Sequence, residues 1–104
     1  MDKTRLNDLP EAPTPLGGWA RTLVERPDLR LVILRVPVGE QVAEHTAPVE
    51  VVFVALAGSG TVYAEGQTAE LAAGEMLTCP AGIPRALAAG SADWELLVIR
   101  APNR

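Results

Sequence analysis

The chain has 104 residues, 48% of them apolar and 21% charged, with a net charge of −4. That length fits one domain with its own core, and the composition excludes a disordered chain. The acidic balance, with no basic cluster interleaved with aromatics, argues against a nucleic-acid partner, and no window approaches the ~20 apolar residues of a membrane span.

Along the chain the signals are those of short strands. Residues 1–18 read as an arm or loop, because Pro10, Pro13, Pro15, Gly17 and Gly18 prevent a regular helix. This segment has no apolar run of the secretion-signal kind. From Trp19 a half-alternating run, WARTLVE, leads to a turn at Pro27-Asp28. LRLVILRV (Leu29 to Val36) follows, with Leu29, Leu31 and Ile33 on one face and Arg30 and Arg35 on the other. VVFVALA (Val51 to Ala57) is apolar at consecutive positions, so both of its faces need cover. Glycine and proline turns then separate TVYAE, QTAELAA, EMLTC, a short segment at Arg85-Ala86-Leu87, and WELLVIRA. AGSADWELL is the best helical candidate, but the β-branched residues that follow favour a strand. About eight strands separated by such turns predict an all-β sandwich or barrel over residues 19–104. Cys79 is the only cysteine, which rules out an intramolecular disulfide and makes the cytoplasm the expected location.

Two spaced blocks stand out. The first is Gly39, five residues, His45, one residue, Ala47, three residues, Val51, six residues, Gly58. The second is Gly74, five residues, Pro80, one residue, Gly82, two residues, Arg85. Together they resemble the cupin family, whose motifs are G-x5-H-x-H-x3-E-x6-G and G-x5-P-x-G-x2-H-x3-N. The fifteen residues between Gly58 and Gly74 match the short separation of small cupins. The resemblance implies an RmlC-like, double-stranded β-helix (jelly-roll) barrel. Gly39, Gly58 and Gly74 then sit at strand ends, where turns call for a positive φ.

The resemblance also implies where a family metal would sit, and there this chain departs from the pattern. The four ligand positions fall on His45, Ala47, Val51 and Arg85, and only His45 is a ligand type. The motif's final asparagine falls on Ala89. Glu50 lies one residue before the glutamate position, and a bulge at Pro48-Val49 would be needed to turn it inward. A reduced site of His45 and Glu50 would still fall short of the three protein ligands usual in catalytic zinc sites. No metal cofactor is therefore expected, the alternative being one divalent ion on His45 and Glu50.

A binding role is favoured over an enzymatic one, because no nucleophile or acid–base constellation accompanies His45. The expected role is binding of a small molecule, an anion among the options, in the barrel near His45, Arg85, Glu50, Phe53 and Met76, or service as a sensory or structural module. Phe53 and Ala55 should face the cavity by alternation from Val51, and Met76 and Thr78 are candidate wall residues. A buried Arg85 needs a partner. That partner is either internal, Glu50 or Glu44, or a ligand carboxylate or phosphate gripped bidentately. His45 itself reads as a rim residue, and Trp19, Tyr63 and Trp94 as core or interface anchors. Two further readings stay open: a metal-dependent isomerase or oxygenase with a reduced ligand set, and a structural dimer with a filled barrel. Val52, Val54 and Leu56, on the outward face of their strand, must be covered by the arm or by a second subunit. Small cupins dimerise through such surfaces, so a homodimer is expected.

Overall fold

A computed structural model describes residues 1–103 as two antiparallel sheets built from ten strands. They are β1 (Ala12–Pro13), β2 (Trp19–Arg26), β3 (Leu29–Val36), β4 (Gln41–His45), β5 (Val51–Ala57), β6 (Ser59–Ala64), β7 (Gln67–Ala72), β8 (Met76–Cys79), β9 (Arg85–Ala89) and β10 (Trp94–Arg100). One sheet has the order β1-β2-β3-β10-β5-β8 and the other β4-β9-β6-β7. The fold is thus the all-β jelly roll expected from the sequence. A single 3-10 turn, Leu6–Asp8, is the only helical segment among the described residues, and none forms a helix long and apolar enough to cross a membrane. β4 was not legible as a strand because only Val42 of QVAEH is buried, too little alternation to read.

The core lies between the sheets. Val36, Leu34 and Val32 of β3 stand opposite Trp94, Leu96 and Val98 of β10, and Ala55 and Phe53 of β5 flank the same β10 residues. Val42, Leu87 and Val62 form a matching row on the second sheet. Val36, Val51, Trp94 and Leu96 have no exposed surface, and side chains of this size each contribute about 1.5–3 kcal/mol on full burial. Gly60 is what lets Trp94 fit. A Cβ there would stand 2.3 Å from the indole ring, so the strand must be bare at that point. Gly58 has φ +72°, and a Cβ on it would meet the Asp93 carbonyl at 2.1 Å.

The assignment of faces on β3 needs correction. Arg30 and Arg35 are five residues apart, so alternation sends them to opposite sides. Arg30 shares the inward face of Val32 and Leu34, while Arg35 points outward with Ile33. The outer side resembled the core face because it is covered too: Ile33 is 8% exposed, the same as Val32 and Leu34.

Residues 1–18 pack as an arm against β2 and β3. β1 pairs with the start of β2, and Arg21 donates to the carbonyls of Leu6 and Leu9 at 3.1 and 2.8 Å. Glu11 receives a two-pronged grip from Arg35, Nε to Oε2 at 3.0 Å and Nη2 to Oε1 at 2.8 Å. Those hydrogen bonds hold the Glu11 carboxyl below the usual carboxylate range, against the opposing effect of partial burial. In the sheet order β1 is separated from β5 by β2, β3 and β10. The outward side chains of β5, Val52 and Val54, are half-buried, and Leu56 and Met76 are exposed.

Candidate functional site

Strand register sorts the inward side chains into layers, and one end layer differs from the others. On the first sheet it runs Arg30, Arg100, Val51, Cys79 across β3, β10, β5 and β8. On the second it runs His45, Arg85, Ala64, Gln67 across β4, β9, β6 and β7. The layer behind is apolar: Val32, Val98, Phe53 and Leu77 face Val42, Leu87, Val62 and Ala69. Three arginines, a histidine, a glutamine and a thiol therefore share one end of an otherwise hydrophobic barrel.

His45 owes its place to a bulge. Val42 pairs with Leu87 and His45 with Arg85, so β4 spends one residue more than β9 over this interval. In a regular ladder Glu44 would oppose Arg85; the extra residue returns His45 to the inner face. The ring is half-buried, and its Nδ1 lies 3.0 Å from the Ala43 carbonyl. A carbonyl oxygen only accepts, so Nδ1 is the donor and the neutral ring carries its lone pair on Nε2.

Arg85 is 1% exposed, the only charged residue among the buried ones described. Its Nε and Nη1 have no hydrogen-bond partner. The guanidinium carbon lies 6.0 Å from the centroid of the Phe53 ring, and the group contacts the buried thiol of Cys79. Burial pushes the Arg85 pKa down and Cys79 partly opposes that shift. The internal ion pair expected from the sequence does not form: neither Glu50 nor Glu44 reaches Arg85, and both are exposed. The reason is parity. Val51 is fully buried and inward, so the residue before it is turned toward solvent.

Met76 is corrected in the same way. It pairs with Val54 on the outer face of the sheet and is 61% exposed, so it is not a wall of the cavity. Thr78, paired with Val52, also points outward, though it borders the hollow beside Cys79. Phe53 and Ala55 do face inward, each 2% exposed. Trp94 is core, whereas Trp19 and Tyr63 are partly exposed, Trp19 carrying Arg35 over its ring at 5.7 Å.

Two hollows border residues of this layer, though Arg85 itself lines neither. One, of about 220 Å³, opens between β7 and β8 and is lined by Cys79, Leu77, Val62, Gln67 and Ile83. The other, of about 100 Å³, is lined by Arg30, Val32, Leu34, Val98 and Arg100. Arg30 Nε lies 3.1 Å from Glu25 Oε2 as an ion pair but is not aligned for a hydrogen bond. The Arg100 pKa is lowered by burial first, then by the charges of Arg30 and Arg85, while Glu25 opposes the shift. Sequence reasoning missed Arg30 and Arg100, although the signal was present. Each stands two residues from an inward valine, Val32 or Val98, on the same strand.

The donor set does not suit a metal ion. Ala47 and Val51 offer no ligand atom, Arg85 puts a permanent cation at the fourth family position, and no three His, Cys, Asp or Glu side chains among the described residues are grouped to hold one.

Comparison with known proteins agrees with this architecture. The sequence model of a family described as "Cupin domain" matches residues 32–100. Among solved structures, a conserved protein of unknown function from Streptococcus pyogenes is 31% identical, with TM-score 0.74, over 88% of this chain and 80% of that one. An RmlC-like cupin from Shewanella frigidimarina superposes with TM-score 0.86 at 17% identity, covering 97% of this chain and 90% of that one. Salicylate 1,2-dioxygenase from Pseudaminobacter salicylatoxidans matches at 26% identity and TM-score 0.77, over 85% of this chain but 27% of that enzyme. No curated protein matches the chain.

Proposed function

The chain belongs to the cupin-domain family, and on that footing we propose that its barrel is a metal-free binding site for a small anion, held by Arg85 together with His45 and Phe53. The observation that carries this reading is Arg85 itself: a guanidinium 1% exposed, with two N–H-bearing nitrogens unpartnered. Unpaired buried charge costs several kcal/mol, and a carboxylate or phosphate is the group whose geometry matches the guanidinium fork. His45 Nε2 adds an acceptor at the rim for a ligand hydroxyl, and Phe53 supplies an apolar floor.

The test is thermal denaturation against a panel of small carboxylates, phosphates and neutral sugars, with Arg85→Ala as the control. A carboxylate or phosphate at 100 times its Kd should add about 2.7 kcal/mol, or roughly 10 °C or more for a domain of this size, to the wild type only. If no anion stabilises the wild type selectively, the barrel is a filled structural module. The dioxygenase neighbour motivates the rival reading, metal-dependent chemistry on His45 and Glu50. Stoichiometric iron, manganese, nickel or zinc by elemental analysis would establish it.

The same reading includes a homodimer of cytoplasmic chains. Its support is the apolar outer side of β5, β8 and β10, where Val52, Val54, Leu97 and Ile99 are half-buried and Leu56 and Met76 exposed.

A further inference from the structure

We infer that the N-terminal arm positions His45 through the bulge in β4, so that docking of the arm regulates the ligand site. This rests on the anion-binding reading above only for what His45 does to a ligand. β4 is the edge strand of its sheet, and its bulge sets Ala43 and Glu44 against the single residue Ala86 of β9. A bulge disrupts the ladder locally, and its backbone groups need partners elsewhere. Ala43 finds both of its partners off β9. Its N–H donates to the Leu16 carbonyl of the arm at 2.8 Å, and its carbonyl accepts from His45 Nδ1 at 3.0 Å. One residue thus joins the arm to the ring that is paired with Arg85.

The arm is shaped to reach that residue. Thr14 to Gly18 form a closed turn, with Thr14 N–H on the Gly18 carbonyl at 3.0 Å and Gly17 N–H on the Thr14 carbonyl at 3.2 Å. Thr14 Oγ1 also donates to the Gly17 carbonyl. Gly17 has φ +117°, and a Cβ on it would stand 2.1 Å from the Gln41 carbonyl oxygen, so only a bare backbone comes this close to β4. Before the turn, β1 pairs with β2 of the other sheet and Glu11 is gripped by Arg35 of β3. The arm therefore straps one sheet to the β4 edge of the other, and it lands on the bulge that carries His45.

With the arm docked, the Nδ1 bond to Ala43 selects one tautomer and leaves Nε2 as the acceptor. His45 and Arg85 are cross-strand partners, so a carboxylate on the guanidinium brings a hydroxyl on the adjacent carbon toward that acceptor. The class of ligand served is a small 2-hydroxycarboxylate. With the arm away, the Ala43 N–H loses its partner, the bulge is free to shift, and the ring no longer holds one tautomer. Linkage makes the coupling mutual: a ligand that uses Nε2 favours the docked arm by the factor by which docking favours the ligand.

The experiment is nuclear magnetic resonance of the His45 ring nitrogens and the Ala43 amide, in alkaline buffer on the full chain, with lactate and propionate as matched probes. Gly17→Ala drives a Cβ into the Gln41 carbonyl, and Thr14→Val removes the hydroxyl that closes the turn. Gly39→Ala, whose Cβ meets nothing within 4 Å, controls for general loosening. Wild type should show one tautomer, protonated at Nδ1, and should bind lactate roughly two- to tenfold tighter than propionate, the worth of one hydrogen bond. Saturating lactate should slow Ala43 exchange. Gly17→Ala or Thr14→Val should exchange the Ala43 amide about tenfold faster, mix the two tautomers and lose the lactate preference. Gly39→Ala should keep both the tautomer and the preference. A ring that keeps its tautomer while Ala43 exchange accelerates overturns the inference, as does unchanged Ala43 exchange in both arm variants or a mixed tautomer in Gly39→Ala. A lactate preference that is absent in wild type, or that survives beside mixed tautomers, overturns the link to the ligand. Binding of neither acid to any of the proteins counts against the anion site and leaves the arm's hold on the ring, so the two failures are distinct. Thr14→Val keeps the test decisive if Gly17→Ala does not fold.

Discussion

Replacing Arg85 with methionine should make the ligand-free protein more stable. The guanidinium is 1% exposed with Nε and Nη1 unpartnered, and each unmade bond costs about 1–3 kcal/mol. Opposing this are the Phe53 ring, worth about 2 kcal/mol to a desolvated cation, and the Cys79 contact, worth about 1 kcal/mol. Methionine keeps an unbranched apolar stem of similar length and adds a thioether that packs well against an aromatic ring. The balance predicts a gain of about 1–3 kcal/mol, in line with buried ion groups replaced by apolar ones. For a chain of this length that is a rise in Tm of roughly 5–15 °C. Thermal and urea denaturation of both proteins in anion-free buffer would measure it, the urea slope checking that the unfolded states are comparable. A fall in Tm of about 4 °C or more would refute the reasoning, because Arg85 would then be held by partners that repay its burial. A stability gain with loss of ligand binding is the pattern expected of a residue kept for function.

The arm gives a pH-dependent prediction. Glu11 has its carboxyl pKa lowered by the Arg35 hydrogen bonds, so its contribution is full above the unfolded value of about 4.3 and is lost as pH falls through the lower folded value. Glu11→Gln should cost about 1 kcal/mol at neutral pH, a figure reduced for the partial exposure of both side chains, and should become nearly neutral once the pH has fallen below the lowered folded value. Urea titrations across that range measure it. Gly60→Ala should cost about 3 kcal/mol or prevent folding, since the new Cβ meets the Trp94 ring and the Ala88 carbonyl at 2.3 and 2.6 Å. Gly39→Ala, with open space around its Cβ but φ +75°, should cost only about 1–2 kcal/mol by denaturation. Light scattering on a sizing column should give twice the 11.0 kDa chain mass, and Met76→Glu with Leu56→Glu should return it to one.

The fold was legible because its signals are local. Turns at Gly58 and Gly74, the apolar run Val51 to Ala57 and the two spaced blocks needed no long-range information. The arm was recognised by its prolines, but not its docking, because the Glu11–Arg35 grip joins residues 24 positions apart. Part of the candidate site's geometry was also legible: His45 and Arg85 share the end layer, and Phe53 faces inward in the layer just behind. Glu50 and Met76 were lost to parity, since a one-residue difference decides inside from outside and only the pairing register shows which applies. Arg30 and Arg100 were missed for the same reason. The pattern of LRLVILRV puts Arg30 opposite Leu29 and Leu31, and nothing in WELLVIRA marks which side Arg100 takes. Only the pairings Arg30 with Arg100 and Arg100 with Val51 bring them onto the inner face beside Arg85.

The most direct test of an anion site at Arg85 is nuclear magnetic resonance of the arginine Nε–H groups while glutarate is titrated into the wild-type protein. A buried Nε–H without a partner should give one slowly exchanging signal, absent in Arg85→Met, that moves saturably as the carboxylate takes up the bond. An Arg85 signal that stays fixed while glutarate saturates, or that exchanges with water as fast as the surface arginines, would contradict the account.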